Sequence, residues 1–162
     1  MFADGDSLAV GTAPYLPAAL PGWRFKTSAA VSRHASEGAR ILRRRPRLAR
    51  YIAVSLGTND DPRFTAGFRD AVRDVMAAAG KRRCVVWANI VRPPVAGTSY
   101  AGYNRVLREE RDKRSNLKIV NWKAMVARHP EWLAADGVHV NAAGYRARAR
   151  GYARALRRCP AT

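Results

Sequence analysis

The stretch Tyr51-Ile52-Ala53-Val54-Ser55-Leu56, running through Gly57-Thr58-Asn59-Asp60 into the segment Pro62 to Ala79, decides the fold. Its first six residues form a nearly continuous apolar run, the pattern of a strand covered on both faces. From Pro62 to Ala79, Phe64, Phe68, Ala71, Val72 and Val75 recur at helical spacing, and Asp61 before Pro62 supplies an N-cap and first-turn pair. A buried strand passing through a glycine turn into a helix is the repeating unit of parallel sheets with crossover helices.

The same alternation extends in both directions. Cys84-Val85-Val86-Trp87-Ala88 is a second short apolar run, Trp23 to Ala29 and Leu117 to Val120 are weaker strand candidates, and a further short strand precedes Gly5. Helices are expected over Ser99 to Arg114 and from about Asn141 to Arg158. No repeat or long Pro/Gly/Ser linker interrupts the pattern, so residues 1–162 read as one α/β domain, a three-layer α/β/α sandwich on about five parallel strands. In such sheets functional residues follow the carboxyl ends of the strands.

Composition supports a packed core and leaves the charge to be explained. Hydrophobic residues make up 48% of the chain, which excludes a largely disordered one. Thirty basic against 12 acidic residues give a net charge of +18, and 25 of the 30 are arginines spread from Arg24 to Arg158. Nucleic acid, a membrane surface and an anionic polymer are the partner classes to weigh. Arg146, Arg150, Arg154 and Arg157 share one face of the last expected helix, opposite Tyr145, Ala149, Tyr152 and Leu156, and read as a solvated face. No aromatic residue is interleaved with them, which disfavours nucleic acid. No run is long enough to span a membrane, and Met1-Phe2-Ala3 leads straight into Asp4-Gly5-Asp6 without the pattern of a signal peptide. Cys84 and Cys159 lack metal-ligand spacing and read either as one disulfide or as two buried thiols, so no metal and no cofactor is expected.

Three short blocks stand where such a sheet carries its site: Gly5-Asp6-Ser7-Leu8, Gly57-Thr58-Asn59-Asp60 and Asp136-Gly137-Val138-His139. They supply a hydroxyl, an amide donor, an imidazole and a carboxylate three residues from that imidazole. Those are the parts of serine acyl transfer: nucleophile, base, orienting group and oxyanion donor. Each alone has a blander reading, since Ser7 could be a helix cap, Asn59 a turn cap and Asp136 an ordinary loop residue.

Together the ordered blocks resemble the GDSL, or SGNH, hydrolase superfamily. The resemblance implies a flavodoxin-like fold, Ser7 as nucleophile, His139 as base, Asp136 as its partner and an oxyanion hole built from the Ser7 N–H and the Asn59 side chain. The family's remaining signature residue is a glycine, and spacing back from Glu37-Gly38 puts Ser32 in its place, with Gly38 as the fallback. Asp4 also departs from the pattern, standing where an apolar strand end is usual, as though the first strand were trimmed or edge-like. Further on, Asn89-Ile90-Val91-Arg92-Pro93, Asn116 to Trp122, and His129-Pro130-Glu131-Trp132 are similar to the SGNH domains of cell-wall O-acyltransferases. That resemblance implies an extracytoplasmic setting and an acyl-enzyme resolved by water or by a glycan hydroxyl. The expected activity is therefore a serine esterase on short acyl esters, with an O-acetyltransferase as the alternative and a non-catalytic basic binding domain, held to an anionic wall polymer, as the next. His34, Arg92 and Trp132 are candidates for lining the substrate cleft.

Overall fold

The computed structural model describes residues 1–160. Five strands, β1 (Phe2–Gly5), β2 (Lys26–Ala29), β3 (Tyr51–Ser55), β4 (Cys84–Ala88) and β5 (Leu117–Val120), form one parallel sheet in the order β2-β1-β3-β4-β5. Period-two alternation divides its side chains between two cores. Ile52, Val54, Val85 and Trp87 pack on one face against α3 (Ala35–Arg44), α4 (Thr65–Ala79) and α5 (Ala101–Asp112). Ala53, Val86 and Ala88 pack on the other, against α2 (Leu16–Ala19), α6 (Trp122–Arg128) and α7 (Ala142–Leu156). The short α1 (Ser7–Thr12) lies on this second side and contacts α7. The chain is therefore an α/β protein with helices on both faces of a five-stranded parallel sheet.

Several boundaries differ from the sequence expectation for identifiable reasons. The helix expected from Pro62 begins at Thr65. Asp61 does not cap it: its carboxylate accepts from Arg63 N at 3.0 Å and its carbonyl from Phe64 N at 3.0 Å, which closes a separate turn. The strand expected from Trp23 spans only Lys26–Ala29, while Trp23 packs on the Tyr51 ring with centroids 4.8 Å apart. Nor is β1 edge-like. It pairs with β2 on one side and β3 on the other, and its four residues are all buried.

The reversal of strand order falls between β1 and β3, which progress to opposite edges of the sheet. Crossovers leave β1 for one face and β3 for the other, so the loops after these two strands flank an opening at their carboxyl ends. Among the described residues no helix is long and apolar enough to cross a membrane.

Candidate active site

The nucleophile candidate owes its position to the residues on either side of it. Gly5 ends β1 so close to its neighbours that a Cβ there would lie 2.5 Å from Ala9 Cβ and 2.7 Å from the Ser55 carbonyl. Only glycine lets the strand turn into α1 at that point. Asp6 then caps the helix, its Oδ1 accepting from Leu8 N at 3.0 Å. Ser7 is the first helical residue, and its N–H has no hydrogen-bond partner among the described residues.

Asp136 and His139 arrive on a loop after α6 that is pinned by a bridge between Leu133 and Val140. The Ser7 hydroxyl lies 2.8 Å from His139 Nε2, and His139 Nδ1 lies 2.6 Å from Asp136 Oδ2. Asp136 Oδ1 accepts from Val138 N at 2.9 Å and from His139 N at 3.0 Å. The hydrogen bond from His139, helped by these two backbone bonds, holds the Asp136 carboxyl down at about 2. An ionised Asp136 can only accept, so the imidazole proton sits on Nδ1 and the Nε2 lone pair faces the Ser7 hydroxyl, the tautomer a general base requires. The His139 and Asp136 side chains are 44% and 49% exposed, so the site opens directly to solvent.

Two further loops complete the opening. After β2, Arg33 N donates to the Ala30 carbonyl at 3.3 Å and closes a turn around Val31 and Ser32. Ser32 sits there at φ +61°, a left-handed conformation that favours glycine, with its N–H unpartnered among the described residues. The N–H of Gly38, the fallback position, donates to the His34 carbonyl at 3.2 Å. This glycine lies within α3, where a Cβ would lie 2.3 Å from Leu56 Cδ1, so its job is packing. After β3, Gly57 turns the chain at φ +106° against Phe68 and Ile90. Asn59 Nδ2 donates to the Arg33 carbonyl at 3.3 Å, which uses one of its two N–H bonds and ties the two loops together.

The three expected cleft-lining residues have other partners. Arg92 Nη1 donates to the Thr58 carbonyl, and Tyr100 Oη, with its single O–H, lies 2.9 Å from the Asp60 carbonyl and 3.2 Å from that of Thr58, so Arg92 helps brace the loop that bears Asn59. His34 is exposed and lies 3.4 Å from the Asp60 carboxylate, which also accepts from Ala35 N at 3.0 Å. Trp132 stacks on His129, centroids 4.1 Å apart, and lines a groove between α6 and α7 with Arg128, Arg150 and Arg154.

A buried network behind Ser7 was not anticipated. Arg148, only 2% exposed, donates from Nη2 to Ser55 Oγ at 3.0 Å, and Ser55 Oγ donates to Asp6 Oδ1 at 3.0 Å. Burial pushes the Asp6 carboxyl up, against the opposing pull of the Arg148 charge. The signal was present in the sequence: Arg148 lies three residues after Tyr145 and four before Tyr152, on the apolar face of its helix.

Comparison with known proteins places nearly the whole chain in one family. The family model described as GDSL-like lipase/acylhydrolase matches residues 3–147, nearly the whole chain. The chain belongs to the GDSL-like lipase/acylhydrolase family. It is 34% identical over 97 residues to O-acetyltransferase OatA of Staphylococcus aureus, a match covering 59% of this chain but 14% of that protein. Its fold is similar to the C-terminal catalytic domain of the peptidoglycan O-acetyltransferase OatA of Streptococcus pneumoniae, solved with a methylsulfonyl adduct. That match has a TM-score of 0.75 at 22% identity and covers 98% of this chain and 90% of the other. It is also similar to a lipolytic G-D-S-L family protein from Veillonella parvula, TM-score 0.72 at 15% identity, over 94% and 93% of the two chains. As a member of the GDSL-like lipase/acylhydrolase family the chain is an enzyme, and it spans only a small part of the length of the curated O-acetyltransferases it matches.

Proposed function

We propose that this GDSL-family protein is a serine esterase that cleaves short acyl esters through a covalent acyl-enzyme. The observation that carries the proposal is the unbroken hydrogen-bonded chain from Ser7 Oγ through the His139 ring to Asp136. Ser7 Oγ attacks the ester carbonyl carbon as its proton passes to His139 Nε2. The imidazolium that forms is held by the Asp136 carboxylate, while the carbonyl oxygen takes the negative charge. The N–H groups of Ser7 and Ser32 and the second N–H of Asn59 are the donors for that oxygen. Collapse breaks the bond to the alcohol oxygen, which leaves with the proton from His139. Water then attacks the acyl-Ser7 carbonyl as His139 takes its proton, and collapse breaks the bond from the acyl carbon to Ser7 Oγ, which regains a proton from His139 as the carboxylic acid leaves.

Turnover of p-nitrophenyl acetate tests the assignment. Ser7→Ala removes the attacking atom and is expected to abolish turnover and labelling by a fluorophosphonate, and a Ser7→Ala protein that retains full activity sinks the reading.

A second reading, O-acetyl transfer to a cell-wall glycan, is favoured by the similarity to the Staphylococcus aureus O-acetyltransferase. The first half-reaction is the same, and a sugar hydroxyl then replaces water as the acceptor. The exposed His139 and Asp136 leave the acyl-enzyme open to either. Offering a preformed acetyl-enzyme both water and a glycan acceptor, and measuring the ratio of acetate to acetylated glycan, separates the two.

A further inference from the structure

The two places where the sequence departs from its family pattern, Asp4 and Ser32, are joined in space by one side chain. We propose that the buried Asp4–Arg33 ion pair is a latch that holds Ser32 in its left-handed conformation, making Asp4 and Arg33 positioning residues for the oxyanion donors. This rests on the reading of Ser7, Ser32 and Asn59 as those donors.

The need for a latch follows from the backbone. A residue with a Cβ in the left-handed region is disfavoured by roughly 1–2 kcal/mol relative to the ordinary right-handed one. Ser32 is exposed at the crown of its turn, and its hydroxyl makes no hydrogen bond among the described residues that would offset the strain. The restraint comes instead from the next residue. Arg33 is only 8% exposed, and its Nη1 donates to Asp4 Oδ1 at 2.9 Å, to the Ser28 carbonyl at 2.6 Å and to Ser28 Oγ at 3.1 Å. One guanidinium nitrogen thus fastens the loop to β1 and β2 together. The Arg33 carbonyl in turn accepts from Asn59 Nδ2, so the same residue sets both the turn that presents Ser32 and the amide of Asn59.

Stability alone does not account for this pair. Burial drives the Asp4 carboxyl up to about 6 although the Arg33 charge and hydrogen bond pull it down and Glu37 pushes it further up. Among the described residues, Arg33 from the loop and Glu37 from α3 are the charged groups facing it, and β2 contributes the uncharged Ser28. A carboxyl raised above its unfolded value of 3.8 binds protons more tightly in the folded chain. Its contribution to stability is fully present in acid and is lost as pH rises through about 6. The ionised carboxylate accepts more strongly from Arg33 than the neutral acid does, so the latch tightens as pH rises through about 6.

The experiment compares wild type, Asp4→Asn and Asp4→Asn/Ser32→Gly. Asp4→Asn is expected to lower kcat/KM for p-nitrophenyl acetate about tenfold, the rate equivalent of the strain released. Adding Ser32→Gly, which takes the left-handed conformation freely, is expected to restore most of that loss. An unrescued double variant, or an unaffected Asp4→Asn, overturns the proposal, because damage to the fold at Asp4 would not be repaired by glycine at position 32. A second readout needs no turnover. In backbone NMR the Ser32 amide resonance is expected to shift with a midpoint near pH 6 in wild type, and this component is expected to vanish in Asp4→Asn. His34 and Glu37 are present in both chains, so a difference between the two curves reports Asp4, and identical curves also overturn the latch. Failure of the esterase reading has a different signature, namely a wild type without ester turnover whose Ser32 amide still follows Asp4.

Discussion

Asp136 grips its partner from two directions, through the imidazole and through the backbone N–H groups of Val138 and His139. The carboxylate therefore fixes the tautomer as well as the orientation of the ring. Asp136→Asn keeps the shape but can turn an N–H toward Nδ1, which favours the opposite tautomer and removes the Nε2 lone pair from Ser7. A loss of about 10³- to 10⁴-fold in kcat is expected, with little change in KM. The carboxyl is held near 2 against an unfolded value of 3.8, so its contribution to stability is present above 3.8 and lost as pH falls toward 2. At neutral pH the group is half exposed, and Asp136→Asn should therefore move the melting temperature little. A variant with near-normal kcat would remove Asp136 from the mechanism. At this scale the sequence was informative about which side chains meet, since Ser7, His139 and Asp136, picked from blocks far apart in the chain, lie in one hydrogen-bonded row. It was uninformative for Arg33, because nothing local marks an arginine whose partner lies 29 residues away on another strand.

The β1–α1 element shows how a strand-to-helix turn is stiffened from behind. Asp6, Ser55 and Arg148 link the end of β1, β3 and α7 directly behind Ser7, and the Arg148 guanidinium also lies over the Trp122 ring, 4.9 Å from its centroid. Arg148→Met keeps much of the volume but leaves Asp6 buried without its countercharge. Breaking a buried charge pair from one side typically costs about 3–5 kcal/mol, and a lower melting temperature is expected. The sign of its pH dependence follows from the direction of the Asp6 shift. With the Arg148 charge gone, burial is opposed only by the hydrogen bonds from Ser55, Leu8 and Thr58, the folded carboxyl rises further above its unfolded value, and stability declines more steeply as pH increases from 3.8. Melting curves across the acid-to-neutral range check this, and a deficit that shrinks as pH rises would contradict it. The elements themselves were legible from apolar periodicity, β4 and β5 to the residue. The start of α4 was not, because Pro62 imitates a helix start while the backbone spends three more residues closing the Asp61 turn.

Across the whole molecule, the chemistry and the covalent cross-link occupy opposite ends of the sheet. Ser7, Ser32 and Asn59 follow the carboxyl ends of their strands, whereas Cys84 opens β4 at the amino end and is bonded to Cys159 beyond α7. Arg33, Arg92 and Arg148 brace the loops around Ser7 and Asn59, but much of the surplus charge lies elsewhere. The buried Glu110 alone gathers Arg69, Arg73, Lys113 and Arg114, and Arg146, Arg150, Arg154 and Arg157 lie exposed along α7. The net +18 therefore describes the surface and does not nominate the reaction. The disulfide permits a sharper statement. It spans 75 residues, and closing a loop of that length in the unfolded chain is worth about 4 kcal/mol in the chain-entropy view. For a chain of this size each kcal/mol shifts the melting temperature by roughly 2–4 °C. Cys84→Ala/Cys159→Ala is accordingly expected to melt roughly 10 °C lower while keeping kcat for p-nitrophenyl acetate at 25 °C within about twofold of wild type. Alanine is the replacement of choice because Cys84 is buried in the apolar core and a serine hydroxyl there would lack a partner. An unchanged melting temperature would mean that the two thiols are not joined in solution. A folded variant that loses most of its kcat would mean that the amino end of the sheet controls the geometry at Ser7, contrary to the separation of the two ends described above.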